Sequence, residues 1–236
     1  MFIRFMRIFS LLCLSLVMTQ NVIAAEQDKR SPHERIEAAT TELLTLIADA
    51  KGYFDNDPER FYRELSDILN PLVDFNSFTR SVMGDYGTKA YYQSLNKAQR
   101  EQYKKDYHRF VKRFQEGLIN TYGKGLLAFN GQKIVVEAAD ETGLAAVAAG
   151  QSVDVIQHIQ GSEKNFTATY KMSPNKKGVW LLRNVSIGSI NVGQLYRNQF
   201  AAAMDKNKGD FSAVIDAWVV EAKDLEEETE QESVEQ

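Results

Sequence analysis

Cysteine is almost absent from this chain of 236 residues, and its one cysteine, Cys13, lies within the apolar run Ile8 to Met18. Everything after that run therefore lacks a thiol, which excludes disulfides, cysteine metal sites and cysteine nucleophiles from it. Without disulfides the fold must depend on its hydrophobic core. About 210 residues suffice for such a core, in one domain or two small ones.

The sequence also lacks an apolar run long enough to cross a membrane as a stable helix, which needs about 20 residues. Its longest run follows Arg4 and Arg7 and precedes the small residues of Val22 to Ala25. This order of basic, apolar and small residues predicts a secretory signal peptide over residues 1–25, with an uncleaved anchor as the alternative. We therefore expect an exported protein.

A strong net charge is missing from most of the chain. Residues 26–220 hold 25 basic and 24 acidic side chains, whereas residues 221–236 hold eight acids and one lysine. The nearly neutral part lacks the basic excess that is typical of nucleic-acid binders, so no nucleic-acid partner is expected. Residues 223–236 are predicted to be an acidic, disordered tail, with a docking role as the alternative.

Recognisable motifs for catalysis and for metal binding are absent as well. The three histidines, His33, His108 and His158, lie on separate predicted elements and lack the H-E-x-x-H spacing of a zinc site. The glycines on either side of Lys124 do not have the spacing of a phosphate-binding loop, and no G-x-S-x-G nucleophile elbow occurs. The sequence thus predicts no metal, no cofactor and no catalytic residue.

Helical periodicity is present over residues 26–130, where apolar side chains recur every three or four positions. The strongest predicted helix begins at Asn96 and has one wide apolar stripe, formed by Tyr103, Tyr107, Phe110, Val111, Phe114, Leu118 and Tyr122. Gly123 and Gly125 are predicted to bend or break this helix before Phe129.

The apolar period changes to two over residues 131–192, which is typical of strands. Four strands are predicted, over residues 133–139, 145–157, 166–172 and 179–187. Short polar turns separate them, so we expect an antiparallel meander. The side chains predicted to point inward from the second and third strands are Val147, Val153, Val155, Phe166, Ala168, Tyr170 and Met172.

The fourth predicted strand is apolar on both faces, so helices are expected to contact both of them. Residues 193–222 are predicted to form two closing helices. Together these elements predict an α+β fold in which a helical N-terminal part packs on a curved four-stranded antiparallel sheet. The chain has 13 Phe, 10 Tyr and 2 Trp. Periodicity leaves open whether these aromatic side chains fill the interior or line a cavity.

Three segments of the chain share their order and spacing with one known family. The first reads N-P-L-V-D-F-N-S-F-T-R-S-V-M-G over 70–84 and is followed by Y-Y-Q-S-L-N-K-A-Q-R-E-Q-Y over 91–103. The second reads V-W-L-L-R-N-V-S-I-G-S-I-N-V over 179–192. The third reads L-Y-R-N-Q-F over 195–200, with G-D-F-S-A-V-I-D-A-W over 209–218. Over most of its length the chain therefore resembles the MlaC or toluene-tolerance family of phospholipid-carrying proteins.

The resemblance has two departures. The family commonly has Asp where this chain has Asn184, and E-G-V/I-S where this chain has I-G-S-I over 187–190. The resemblance implies that residues 26–222 form one lipid-binding domain. The domain would have a helical part over 26–130, a nuclear-transport-factor-like sheet over 131–192 and closing helices over 193–222.

The resemblance also implies a function and its partners. Family members enclose phospholipid tails in a deep apolar pocket, and the lipid is their cargo. They work in the periplasm, between an outer-membrane lipoprotein–porin complex and an inner-membrane ABC transporter with an MCE-domain subunit, and maintain outer-membrane lipid asymmetry. A monomer without catalytic activity is expected.

The candidate lipid-binding residues are the apolar positions on predicted inward faces. They are Leu69, Val73, Val82, Tyr103, Phe110, Phe114, Leu118, Val147, Val153, Val155, Phe166, Tyr170, Trp180, Leu182, Val185 and Ile187. One alternative is an isomerase-like or dehydratase-like enzyme of the same fold that uses Asp154, His158 and Tyr170. The other is a periplasmic interaction module with a filled core and no lipid.

Overall fold

The computed structural model describes residues 28–160 and 165–220. The predicted signal peptide, Cys13 and the acidic segment after residue 220 lie outside the described residues. The predicted combination of helices with an antiparallel sheet is confirmed. Along the chain, helices precede the first strand, lie between the first two strands and follow the last strand.

The first half of the described chain is helical. Its elements are α1 (Pro32–Ala50), α2 (Pro58–Leu69), α3 (Phe75–Val82), a 3-10 turn (Gly84–Gly87), α4 (Lys89–Ser94) and α5 (Lys97–Leu126). The predicted start of the longest helix at Asn96 is confirmed, because Asn96 caps α5. Its side-chain oxygen accepts from the Gln99 amide at 2.9 Å, and the Gln99 side chain accepts from the Asn96 amide at 2.9 Å.

The predicted break at Gly123 and Gly125 is wrong, since α5 continues without interruption to Leu126. Gly123 serves a different purpose. A Cβ at this position would lie 2.8 Å from Cδ2 of Leu65 on α2, which is closer than packed carbon atoms can come. The glycine therefore allows α2 and α5 to approach each other.

The second half of the described chain contains the sheet and the last helices. Its elements are β1 (Lys133–Val136), α6 (Glu141–Ala148), β2 (Val153–Gln160), β3 (Asn165–Pro174), β4 (Trp180–Ile187), β5 (Ile190–Asn191), α7 (Val192–Lys206) and α8 (Phe211–Ala217). Each strand pairs antiparallel with the next one along the chain, so the meander is confirmed. The strands described number five, however, and not the predicted four.

The predicted strand over 145–157 is wrong in its first half, because residues 141–148 form α6. Asp140 caps this helix by accepting from the Gly143 amide at 2.7 Å. The segment is rich in alanine, which has the highest helix propensity, and this local preference prevails over the alternation of apolar side chains. Val147 therefore lies on a helix.

A β-bulge at Arg183 explains why β4 is apolar on both predicted faces. Lys171 of β3 pairs with Asn184, and Met172 pairs with Leu182, so Arg183 is an extra residue without a partner. The bulge inverts the alternation beyond it. Leu182 and Val185 consequently point to the same side of the sheet, although they are three residues apart.

The core consists of three clusters of buried side chains. The helical cluster lies between α3, α5, α7 and α8 and includes Phe110, Phe114, Tyr196, Phe200 and Trp218. The sheet cluster lies between α1 and the sheet and includes Ile36, Val153, Val155, Met172 and Trp180. The α1–α2 cluster includes Leu46, Phe61, Leu65 and Ile119. In the ranges 28–160 and 165–220, no helix has the length and apolar character that crossing a membrane would require.

We predict that Gly87→Ala destabilises the fold by about 1–3 kcal/mol or more, because its Cβ would overlap the carbonyl oxygen of Arg80, a backbone atom that cannot rotate away. Gly125 is the matched control, since nothing lies within 4 Å of a Cβ there. Gly125→Ala should stabilise α5 by about 0.5–1 kcal/mol. Urea denaturation monitored by circular dichroism measures both changes, and equal stabilities of the two variants would contradict the packing described here.

Candidate functional site

An apolar cavity of about 260 Å³ lies between α2, α3, the C-terminal third of α5 and strand β4. Its lining side chains are almost entirely hydrocarbon and are contributed by Leu65, Leu69, Val73, Phe75, Phe78, Leu118, Ile119, Tyr122, Gly123, Leu126, Leu182, Val185, Ile187 and Val192. Such a lining has nothing to offer a charged or strongly hydrogen-bonding ligand. It is suited to a hydrocarbon group.

One wall of the cavity is fixed by backbone hydrogen bonds between the α2–α3 connection and the bulged strand. The Asp74 amide donates to the Leu182 carbonyl at 3.0 Å, and the Leu182 amide donates to the Leu72 carbonyl at 2.9 Å. The bulge turns Arg183 toward α3, where its guanidinium pairs with the Asp74 carboxylate and donates to Oγ of Ser77 at 2.5 Å. These contacts hold α3 against β4.

The opposite wall is the end of α5. Among the described residues that line the cavity, only Tyr122 carries a polar side-chain atom. Its hydroxyl forms a hydrogen bond with the hydroxyl of Tyr196, which is completely buried on α7. Because the two hydroxyls bind each other, the polar atom of Tyr122 is satisfied without a ligand.

The inner face of the sheet extends beyond the cavity. Ile187, at the edge of the cavity, neighbours Ala168 on β3, and two positions further along β3 Phe166 pairs with Ile159 of β2. Phe166 is 43% exposed, and Ile134 next to Ile159 is half-buried. An apolar surface therefore connects the cavity with solvent.

Helix α1 covers the other half of the same face. Gln157 marks the boundary: its amide nitrogen donates to Oγ1 of Thr40 on α1 at 2.8 Å, and its amide oxygen accepts from the Tyr170 hydroxyl at 2.8 Å. Burial raises the pKa of Tyr170 to about 12, so its phenol stays protonated and remains a donor at neutral pH. Val153 and Val155 are buried beneath α1.

The three side chains considered for catalysis are not brought together. Asp154 and His158 alternate along β2 with the buried Val155 and Gln157, so they lie on the outer face of the sheet. Tyr170 pairs with Val155 and lies on the inner face. In the part of the chain that the structure describes, no group of three or more His, Asp or Glu side chains could hold a metal ion.

The structure brings six of the sixteen candidate residues together around the cavity, namely Leu69, Val73, Leu118, Leu182, Val185 and Ile187. Seven others are packed in the core beside it. Val82, Phe110 and Phe114 belong to the helical cluster, and Val153, Val155, Tyr170 and Trp180 belong to or pack against the sheet cluster.

The remaining three candidates also do not line the cavity. Val147 packs against the sheet cluster, but from helix α6 and not from a strand. Phe166 has the predicted alternation, but it is 43% exposed and does not line the cavity. Tyr103 lines a cleft of about 460 Å³ near the start of α5, together with Arg80, Lys89 and Lys104. Because three cationic side chains line it, we call it the cationic cleft.

Eight lining residues were not among the candidates: Leu65, Phe75, Phe78, Ile119, Tyr122, Gly123, Leu126 and Val192. For α5 a signal was present in the sequence. Leu118, Tyr122 and Leu126 continue one stripe at a spacing of four residues, which extends beyond the glycine that was expected to break the helix. For α3 and α7, which side of the helix faces a cavity depends on tertiary packing.

Comparisons with known proteins agree with this architecture. The family model described as MlaC protein matches residues 37–219. The toluene tolerance protein ttg2D of Pseudomonas putida is 32% identical over 193 residues, which are 81% of this chain and 81% of that protein. A phospholipid-binding protein from Ralstonia solanacearum, solved in complex with a phospholipid, has a similar fold. Its TM-score is 0.58 at 18% identity, over 79% of this chain and 96% of that chain.

We predict that Leu118→Ala costs about 2 kcal/mol in protein stripped of bound apolar molecules, the lower end of the range for Leu→Ala, because the Leu118 side chain already faces unfilled space. Leu46→Ala is the matched control. Leu46 is buried in the α1–α2 cluster and does not line the cavity, so its truncation should cost about 4–5 kcal/mol, the upper end of that range. Thermal and urea unfolding provide the comparison. Equal costs would show that the interior at Leu118 is as tightly packed as the core.

Proposed function

The chain belongs to the MlaC family, and on that premise we propose that it is a periplasmic carrier that holds phospholipid acyl chains in the apolar cavity. The observation that carries the proposal is the lining of this cavity, in which hydrocarbon side chains of α2, α3 and α5 face the bulged strand β4. The Ralstonia protein of similar fold is described as bound to a phospholipid. This supports the same class of cargo here.

The cargo requires such an environment. Each methylene that leaves an apolar phase for water costs about 0.8 kcal/mol, so a two-chain lipid would cost tens of kcal/mol to release into water. A carrier avoids this cost by offering the chains surroundings similar to those of the bilayer. It must not bind them much more tightly, because delivery would then be slow.

The volume of the cavity implies that loading widens it. Ligand pockets generally measure about 300–1,000 Å³, and 260 Å³ lies below this range, so a phospholipid with two chains does not fit into the cavity as described. We infer that chains enter between Leu126 at the end of α5 and Ile187 at the end of β4. The exposed apolar surface around Phe166 would then contact the parts of the chains that protrude.

The head group would stay outside. Among the described lining residues there is no charged side chain, so nothing in the cavity selects for a particular head-group chemistry. Low head-group selectivity follows from this arrangement.

The partners of such a carrier would be the membrane complexes between which it moves lipid. We propose an outer-membrane lipoprotein–porin complex as one partner and an inner-membrane ABC transporter with an MCE-domain subunit as the other, as in the family that the sequence resembles. Carriage between them would maintain outer-membrane lipid asymmetry.

We predict that Val185→Trp sharply reduces the phospholipid that co-purifies with the protein, because the indole would fill much of the cavity beside Leu182. Val135→Trp is the matched control, since Val135 is 39% exposed on the edge strand β1. Each protein is purified from the periplasm, its lipids are extracted, and organic phosphate per protein is measured with mass spectrometry of the extract.

A second filling variant, Leu69→Trp on α2, guards against a folding defect specific to β4. Circular dichroism and the thermal transition establish that each variant is folded. If folded Val185→Trp and Leu69→Trp both retain as much phospholipid as Val135→Trp, the cavity does not hold the acyl chains. If the unchanged protein carries no phospholipid, the proposed cargo is wrong.

A further inference from the structure

The cationic cleft lies far from the apolar cavity, and the proposed cargo does not use it. The cleft contacts α5 between Tyr103 and His108, whereas the cavity contacts α5 from Leu118 onward. The residues that surround the cleft are Arg80, Gly87, Thr88, Lys89, Tyr92, Tyr103, Lys104, Tyr107 and His108. No acidic side chain is among these described residues.

Tyrosine rings form one side of the cleft and hold a cation in place. The rings of Tyr103 and Tyr107 are nearly parallel, with centroids 6.3 Å apart. The guanidinium of Arg80 lies 5.2 Å from the centroid of Tyr107. A cation–π contact of this kind positions Arg80 without neutralising it. Its charge therefore remains available to an anion from outside.

The cations of the cleft lack carboxylate partners of their own. Within residues 28–160 and 165–220, neither Arg80 nor Lys89 takes part in an ion pair. Lys104 pairs with Glu101 at 2.9 Å, but both side chains are more than half exposed, so this pair exchanges readily with another carboxylate. The cleft thus has the charge and the shape to bind a carboxylate-rich segment.

We propose that the cationic cleft binds the chain's own acidic segment, residues 221–236. This segment has eight acidic residues and one lysine, the reverse of the charge around the cleft.

The segment begins close enough to reach the cleft. Its predecessor Val220 is buried beside α5, and the Val220 carbonyl accepts from Oγ1 of Thr121 at 2.8 Å. A Cβ on Gly117 would lie 2.7 Å from Cγ2 of Val220, which places the start of the segment at this turn of α5. From Gly117 back to Lys104 the helix rises about 20 Å.

An extended chain spans about 3.3 Å per residue, so roughly six or seven residues cover that distance. The rest of the segment, from about Glu228, still carries four of the eight acids.

A paramagnetic label tests the contact in the exported chain. Residues 26–236 contain no cysteine, so Ser233→Cys provides a single site for a nitroxide. We expect the label to broaden the amide NMR signals of Thr88, Lys89 and Lys104 in the monomer at low salt. Raising the ionic strength to about 0.5 M should reverse the broadening, because charges at the surface are then screened within a few ångströms.

Two double variants with the same change in charge separate a specific contact from general attraction. Arg80→Gln with Lys89→Gln removes two cations from the cleft, and Lys176→Gln with Lys177→Gln removes two exposed cations from the β3–β4 turn. An exposed ion pair favours binding by about two- to fivefold, so the cleft variant should lower the ratio of bound to free segment roughly fivefold or more. The turn variant should leave it unchanged.

The proposal is overturned if the label leaves the signals of the cleft unaffected, or if both double variants weaken the broadening equally. Inorganic phosphate and vesicles of anionic phospholipid are then added separately to the labelled chain. Shifts in the cleft signals on either addition, without prior broadening by the label, would assign the cleft to an external phosphate or to a membrane and would reject the segment as its occupant.

Discussion

The structure depends on one junction, the place where the connection between α2 and α3 bonds to the bulged strand β4. Backbone hydrogen bonds join Leu72 and Asp74 to Leu182, and the ion pair between Asp74 and Arg183 closes over them. Both side chains of this pair are only about one-fifth exposed, so solvent screens their attraction less than that of a surface pair. The junction fixes the distance between α3 and the sheet. The apolar cavity is the unfilled space that remains beside α3 at this distance.

A cavity of this kind is costly to maintain, because protein interiors tend to pack densely. Dense packing and an open cavity occur at different positions along α5. The helical cluster near its middle is densely packed with aromatic rings: Phe114 contacts Phe78 and Tyr196 edge to face, with centroids 5.6 and 5.3 Å apart. Aliphatic side chains, which can change rotamer more easily than rings in edge-to-face contact, form most of the cavity lining. The rigid cluster therefore carries the fold while the adjacent aliphatic region remains able to widen.

Local signals in the sequence were sufficient for most elements. Asn96 and Gln99 give the start of α5, and alternation with polar turns gives the antiparallel meander. The lining of the cavity was predictable only in part, since it depends on features that alternation cannot show. The bulge at Arg183 shifts the register of β4, and alanine-rich α6 replaces the first half of a predicted strand. Phe166 is another example. The period of two predicts that its side chain points inward, but its exposure depends on how far α1 extends over the sheet, which the period does not show.

Helix α5 lines two surfaces of different chemical character, the cationic cleft and the apolar cavity. Its 30 residues extend over about 45 Å, with the cationic cleft at its beginning and the apolar cavity at its end. Cations at the mouth of the cavity would attract the phosphate of a phospholipid head group and add charge-assisted hydrogen bonds to the hydrophobic binding of the chains. Release would then require breaking both kinds of interaction together. In the proposed carrier, the distance of Arg80 and Lys89 from the cavity would keep these two cations from adding such bonds to the bound lipid.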